Sequence, residues 1–155
     1  MSNEFLTFTI EEVQYAIPVS KVIEVLEYTT VIKIPCSADY IEGIIKSRGQ
    51  GISVVNLRKK FGLKPKEIDK NTKIIVLEIQ NENGTINFGA ITDDVQEVVE
   101  LNIECMEKTP ELGNSVAKRF VSGIARKEEG FIIILDVDKI FSPDEAEMLA
   151  EKTQE

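Results

Sequence analysis

The sequence predicts an all-β protein assembled from two similar strand-rich units. Two observations carry this expectation. The apolar segments are short, rich in Val and Ile, and separated by turn residues, which is the pattern of strands and not of long helices. The same blocks of residues also recur, in the same order, in the two halves of the chain. With 155 residues, 43% hydrophobic and 29% charged, the composition is that of a globular protein, with room for one domain of two closely packed subdomains.

Strands are expected at Glu4–Ile10, Val13–Ile17, Val31–Ile34, Gly43–Ser47 and Gly51–Asn56. A second series follows at Lys73–Ile79, Thr85–Ile91, Val95–Leu101, Val121–Arg126 and Phe131–Asp136. Between two of these, NENG at Asn81–Gly84 supplies residues that tolerate the positive φ of a hairpin turn. Helices should be brief. Leu57–Phe61 fits one turn ended by Gly62, and Ser20 or Ser37 could cap a turn. From Ser142, SPDEAEMLAEKT has a cap, an early Pro and acidic residues in its first turn, which predicts a terminal helix over about 143–155. Segment Lys21–Glu27 fits a helix or a strand.

The repeat is the most informative feature. YIEGIIKSRGQGISVVNLRKKF at Tyr40–Phe61 lies without a gap on FVSGIARKEEGFIIILDVDKIF at Phe120–Phe141. Gly43 then matches Gly123, Ile44 matches Ile124, and Ile52 matches Ile132. Upstream, Tyr15, Val22, Glu24 and Val25 fall on Phe88, Val95, Glu97 and Val98, and EFLTFTI falls on KIIVLEI. Each unit offers about five strands, enough to curl into a small barrel with few exposed edges. A unit of roughly 70 residues buries limited core alone, so the two should share an apolar seam. Ile44 and Ile124 are expected at equivalent buried positions, as are Ile52 and Ile132. The glycine of each aromatic–x–x–Gly–Ile block is expected at a bulge or bend.

Several function classes are excluded. A net charge of −9 opposes phosphate-backbone binding, and the one dense basic cluster, Arg58–Lys60, reads as a solvated helix face. No apolar run approaches the ~20 residues of a transmembrane helix, and the first residues do not read as a secretory signal. Cys36 and Cys105 stand alone without metal-ligand spacing and read as buried or half-buried thiols in a reducing cytosol, with a disulfide the lesser alternative. The chain contains no histidine, which removes the usual catalytic triads, the commonest zinc ligand and any phosphohistidine relay. No nucleotide-binding or kinase motif occurs, Gly113–Ser115 reads as a loop, and Asp93–Asp94 reads as a solvated turn and not a metal or phosphoacceptor site. The expectation is a cytoplasmic, non-enzymatic binding protein without catalytic residues, metal or cofactor.

Three stretches, YIEGIIKSRGQGISVVNLRKKFGL, FGAITDDVQEVVEL and FVSGIARKEEGFIIILDVDKIF, resemble the CheW family, and the resemblance runs from about Glu4 to Leu149. Gly43, Arg48, Gly49, Asn56, Leu57 and Arg58 fit the family's central signature. Lys46 and Ser47 depart from its usual Asn–Leu, and Ser53 from its Pro. The resemblance implies two intertwined five-stranded β-barrels sharing a hydrophobic core, with short helices including a C-terminal one. The first barrel would span about 15–80, and the second about 4–14 plus 81–142. The same fold occurs in the kinase CheA and in the adaptor CheV. The chain ends about a dozen residues past its last repeat block, which favours a stand-alone CheW-like protein.

The family's members are chemotaxis adaptors. The implied partners are therefore the regulatory domain of a CheA-type histidine kinase and the cytoplasmic hairpin of a methyl-accepting chemoreceptor. The implied location is the cytoplasm, at the inner face of the membrane through receptor arrays, with no membrane insertion and no nucleic acid. Val22, Glu24, Gly43, Arg48, Val95 and Val98 match the family's receptor-binding groove, while each valine alone fits ordinary core equally well. No kinase-contact residues are assigned. Glu24 and Arg48 could pair through two parallel hydrogen bonds, or stand as independent solvated charges.

Overall fold

Segments such as KIIVLEI and GFIIIL carry apolar residues at successive positions, so both faces of each strand need cover. In the computed structural model, which describes residues 4–35, 38–81, 84–102, 120–127, 130–141 and 145, both faces receive it. The strands are β1 (Glu4–Ile10), β2 (Val13–Pro18), β3 (Val22–Glu27), β4 (Ile41–Ser47) and β5 (Gln50–Asn56), then β6 (Lys73–Asn81), β7 (Gly84–Thr92), β8 (Asp94–Glu100), β9 (Val121–Lys127) and β10 (Gly130–Leu135). One helical turn, α1 (Leu57–Lys60), follows β5, and 3-10 turns occupy Val19–Lys21 and Val137–Lys139.

The strands form two five-stranded sheets. Sheet A has the order β8-β1-β2-β10-β9, and sheet B has β3-β6-β7-β5-β4. Replacing each strand by its repeat partner converts one order into the other. The registers agree as well. Phe8 faces Tyr15 as Leu77 faces Phe88, and Ile133 runs beside Tyr15 as Ser53 runs beside Phe88. The glycine bulges recur too, beside Gly43 in β4 and beside Gly123 in β9. The duplication is therefore real at the level of backbone pairing, and it is exchanged: each sheet takes its hairpin (β1–β2 or β6–β7) from one copy and its other three strands from the other copy.

This exchange alters the expected boundaries. The hairpin strand β2 belongs with sheet A, and β7 with sheet B, so sheet membership does not follow the division into 15–80 and 4–14 plus 81–142. Alternate residues explain the continuous apolar runs. Phe8, Ile17, Leu77, Phe88 and Leu135 enter a core shared by both sheets. The opposite faces fill private cores, with Phe5, Ala16, Ile132 and Ile134 in sheet A and Ile45, Ile52, Val54 and Ile74 in sheet B.

Three expectations need correction. The sheets are not closed barrels: β8 and β9 end sheet A, and β3 and β4 end sheet B. In sheet B the outer edge of β4 is instead met by one bridge, in which Ile32 and Ile44 exchange amide-to-carbonyl bonds of 2.9 and 2.8 Å. Val31–Ile34 is accordingly no strand beyond that bridge, because a single residue of it pairs. Ile44 and Ile124 are equivalent, but both are half-buried, whereas Ile52 and Ile132 are buried. The ambiguous Lys21–Glu27 segment resolves as the end of a 3-10 turn followed by β3. Ser20 lies within that turn, which has no side-chain cap bond. Cys36, Ser37, Cys105, Gly113–Ser115, the tip of the NENG turn and the predicted terminal helix, except Glu145, lie outside the described residues.

Candidate partner-binding site

Glu24 sits on edge strand β3, and Ser47 and Arg48 lie at the end of β4 and in the turn that follows it, on the opposite edge of the same sheet. Sheet B curls far enough for side chains to span the gap. Ser47 Oγ donates to Glu24 Oε2 at 2.5 Å, Arg48 Nη2 donates to the Ile23 carbonyl at 3.3 Å, and Arg48 Nε lies 3.7 Å from Glu24 Oε2. Arg48 adopts φ 51, a left-handed value that a tight β4–β5 turn imposes on a residue with a Cβ. Its side chain is 67% exposed. The expected Glu24–Arg48 pair thus exists as one long contact and not as two parallel hydrogen bonds. Ser47, marked in the sequence only as a departure from the family signature, makes the short bond to Glu24 through its hydroxyl.

The four other expected positions divide between the sheets. Val22 begins β3 and Val95 lies near the start of β8; both are half-buried against the shared core, at repeat-equivalent places. Val98 on β8 is exposed, as is its equivalent Val25 on β3, so an apolar side chain faces outward on an edge strand of each sheet. Gly43 lies on β4 with φ 153, where a Cβ would collide with the Ile32 backbone. Its role in the fold is to let Ile32 bridge to β4.

The basic cluster is not a solvated face. Arg58 is buried and bonds Asp93 with two parallel hydrogen bonds, Nε to Oδ1 at 3.0 Å and Nη2 to Oδ2 at 2.7 Å. Hydrogen bonding to Asp93 raises the Arg58 guanidinium above its ordinary value, with burial opposing. Burial alone would raise the Asp93 carboxyl. Hydrogen bonds from Arg58 and the Glu11 amide, with the Arg58 and Lys66 charges, outweigh it and hold Asp93 below the usual carboxylate range. Lys59 pairs with Glu42 at 2.9 Å, and the largely buried Lys60 pairs with Glu145 at 2.8 Å. Asp93 is therefore part of an ion pair and not of a solvated turn. Among the described residues no cluster of His, Cys, Asp and Glu could hold a metal, and no helix is long and apolar enough to cross a membrane.

Arg58 follows Asn56, whose side chain caps α1 by accepting from the Lys59 amide at 3.3 Å, so Asn–Leu–Arg is a local structural unit. A family model for the CheW-like domain, of which that triplet is part of the signature, matches residues 4–145. The chain belongs to the CheW-like domain family. The chemotaxis protein CheW of Klebsiella aerogenes is 31% identical over 145 residues, covering 94% of this chain and 85% of that protein. CheW of Treponema pallidum is 26% identical over 151 residues, covering 95% and 86%. The crystal structure of the scaffolding protein TtCheW from Thermoanaerobacter tengcongensis superposes with a TM-score of 0.80 at 32% identity, covering 92% of this chain and 94% of TtCheW. Within this CheW-like domain, the departure at Ser47 places a hydroxyl donor on Glu24, so the turn around Arg48 keeps a tie to β3.

Proposed function

We propose that this chain is a non-enzymatic chemotaxis adaptor. It joins the regulatory domain of a CheA-type histidine kinase to the cytoplasmic hairpin tip of transmembrane chemoreceptors, and it works in the cytoplasm at the inner face of the membrane through receptor arrays. The observation that carries this reading is membership of the CheW-like family across residues 4–145, supported by likeness to a protein described as a scaffold. The role is physical. With no histidine in the chain, no phosphoryl group can pass through a phosphohistidine on it.

Val22, Glu24, Gly43, Arg48, Val95 and Val98 are proposed to form the receptor-facing groove. Support comes from half-buried valines at the rim of the shared core and from an exposed guanidinium held near Glu24. Apolar area left in water costs about 25 cal/mol per Å², so a receptor helix laid over these valines would be favoured. The test is reconstitution of kinase, receptor and adaptor. The adaptor should co-purify with the CheA regulatory domain and make kinase activity depend on receptor. Failure to bind either partner would overturn the reading.

A further inference from the structure

Two places exist where the chain passes from one sheet to the other between adjacent strands. Asp93 alone separates β7 in sheet B from β8 in sheet A, and the turn ending at Lys21 separates β2 in sheet A from β3 in sheet B. Both crossovers carry an ion pair. Asp93 takes the bidentate bonds of Arg58, and Lys21 donates to Asp138 Oδ1 and Oδ2 at 3.1 and 2.9 Å. The repeat that lays Tyr40–Phe61 on Phe120–Phe141 lays Arg58 on Asp138. At the crossovers the upstream offset of the repeat lays Lys21 on Asp94, one residue from Asp93, so the two pairs sit at corresponding crossovers, one residue apart at that end, with their charges reversed.

A third partner recurs as well. The Glu11 amide, at the tip of the β1–β2 hairpin, donates to Asp93 Oδ2 at 2.9 Å, and the Gln80 amide, near the tip of β6–β7, donates to Asp138 Oδ1 at 3.0 Å. Glu11 and Gln80 are themselves equivalent in the repeat. Each carboxylate thus ties a hairpin of one sheet to a cation, and each pair spans a crossover and the turn after β5 or β10. At the first site Glu11 and Glu12 take φ 54 and 66, values that non-glycine residues rarely hold unless their surroundings impose them. The two-residue β1–β2 turn, closed by the Ile10–Val13 pair, imposes those values, and the contacts of Glu11 with Asp93 and with Arg58, 2.5 Å from its carboxylate, tie the turn to the crossover.

We infer that Arg58–Asp93 and Lys21–Asp138 are paired clamps that set the relative position of β3 and β8, and so position the groove between them. Val22 follows Lys21 directly, and Val95 lies two residues beyond Asp93, so each clamp sits at the root of a strand carrying proposed groove residues. The clamp residues are positioning residues and need not touch the partner. Their functional consequence rests on the proposed receptor groove, while their geometric role does not.

The test uses the 155-residue chain with Cys36 and Cys105 changed to Ser and, for the distance measurement, spin labels at the exposed, equivalent positions Val25 and Val98. Variants Asp93→Asn and Asp138→Asn, each folded by circular dichroism and cooperative in urea, should broaden the label distance distribution at least two-fold. In unlabelled protein that keeps Val25 and Val98, they should also weaken binding of a soluble chemoreceptor cytoplasmic fragment about tenfold. The double variant Lys21→Asp/Asp138→Arg, which rebuilds the second clamp with the polarity of the first, should restore both readouts, as a merely bulky or destabilising change would not. Should Asp93→Asn not fold, the more exposed Lys21–Asp138 pair carries the test. Folded variants with an unchanged distribution overturn the clamps. A broadened distribution with unaltered receptor binding upholds the clamps and overturns the groove.

Discussion

The backbone of Ile32 lies where a Cβ on Gly43 would stand, and the same close approach lets Ile32 exchange two hydrogen bonds with Ile44. Gly43→Ala must push Ile32 away and strain a φ of 153. The expected loss is about 1–3 kcal/mol in urea denaturation, the usual range for overpacking. Hydrogen exchange at the Ile44 amide should rise more than at the buried β5 amides, because the bridge opens first. Unchanged exchange there would mean that the bridge contributes nothing.

Ile52 and Ile132 are repeat-equivalent and both buried in private cores. Truncating either to Ala should destabilise by about 2–5 kcal/mol. Ile44→Ala and Ile124→Ala, at half-buried sites, should each cost less than about 2 kcal/mol. Equilibrium unfolding of the four variants checks the ranking.

Arg48 is mostly exposed and its contact with Glu24 is long, so Arg48→Ala should change stability by only about 0–1 kcal/mol. Under the proposed function, Arg48→Ala and Glu24→Ala keep kinase binding and lose receptor-dependent kinase activation. Full activation by both variants in the reconstituted assay would remove these residues from the groove.

Asp93 has its folded pKa held below the ordinary aspartate value of about 3.9. Its ionised form is therefore favoured by folding. The resulting stability is present above the unfolded pKa and is lost as pH falls through the folded one. The stability gap between the natural protein and Asp93→Asn should stay constant from pH 7 to about 5 and shrink below about 4. Urea midpoints across that series measure it, and a gap that grows in acid would contradict the sign.

Lys60 places its ammonium 2.8 Å from Glu145 and 4.7 Å from the centre of the Tyr40 ring, with a side chain only 7% exposed. Removing the carboxylate by Glu145→Leu leaves a buried charge without its ion-pair partner and should cost about 3–5 kcal/mol. The double change Lys60→Met/Glu145→Leu removes both charges, keeps apolar volume against Tyr40 and Phe141, and should be close to neutral. Equal losses from the two changes would show that packing, and not charge, governs this contact.

Much of the fold was legible because it is local. Turn residues and runs of Val and Ile mark all but one of the strands: the β3 segment fits a helix or a strand, and Val31–Ile34 has the pattern of a strand where a single bridge exists. Glu24 and Arg48, which the fold brings to 3.7 Å, are singled out in the sequence only by the family resemblance. Ser47 stood out only as a departure, and the Arg58–Asp93 pair was misread as two solvated features. Three consecutive basic residues look like a surface, and nothing near Arg58 in the chain shows that a carboxylate 35 positions away will meet it.

By itself the sequence determined nine of the ten strands, the duplication down to its residue offsets, and membership of a chemotaxis family. The tertiary structure alone decided which copy each hairpin joins, that the two sheets stay open, and that the charges after β5 and β10 meet the crossovers. The physical reason is range. Alternation and turn chemistry act between neighbours in the chain, and they specify which face of a strand is apolar. The choice of neighbouring strand, and the pairing of Arg58 with Asp93 or Lys21 with Asp138, depends on desolvation and contact between residues far apart in sequence.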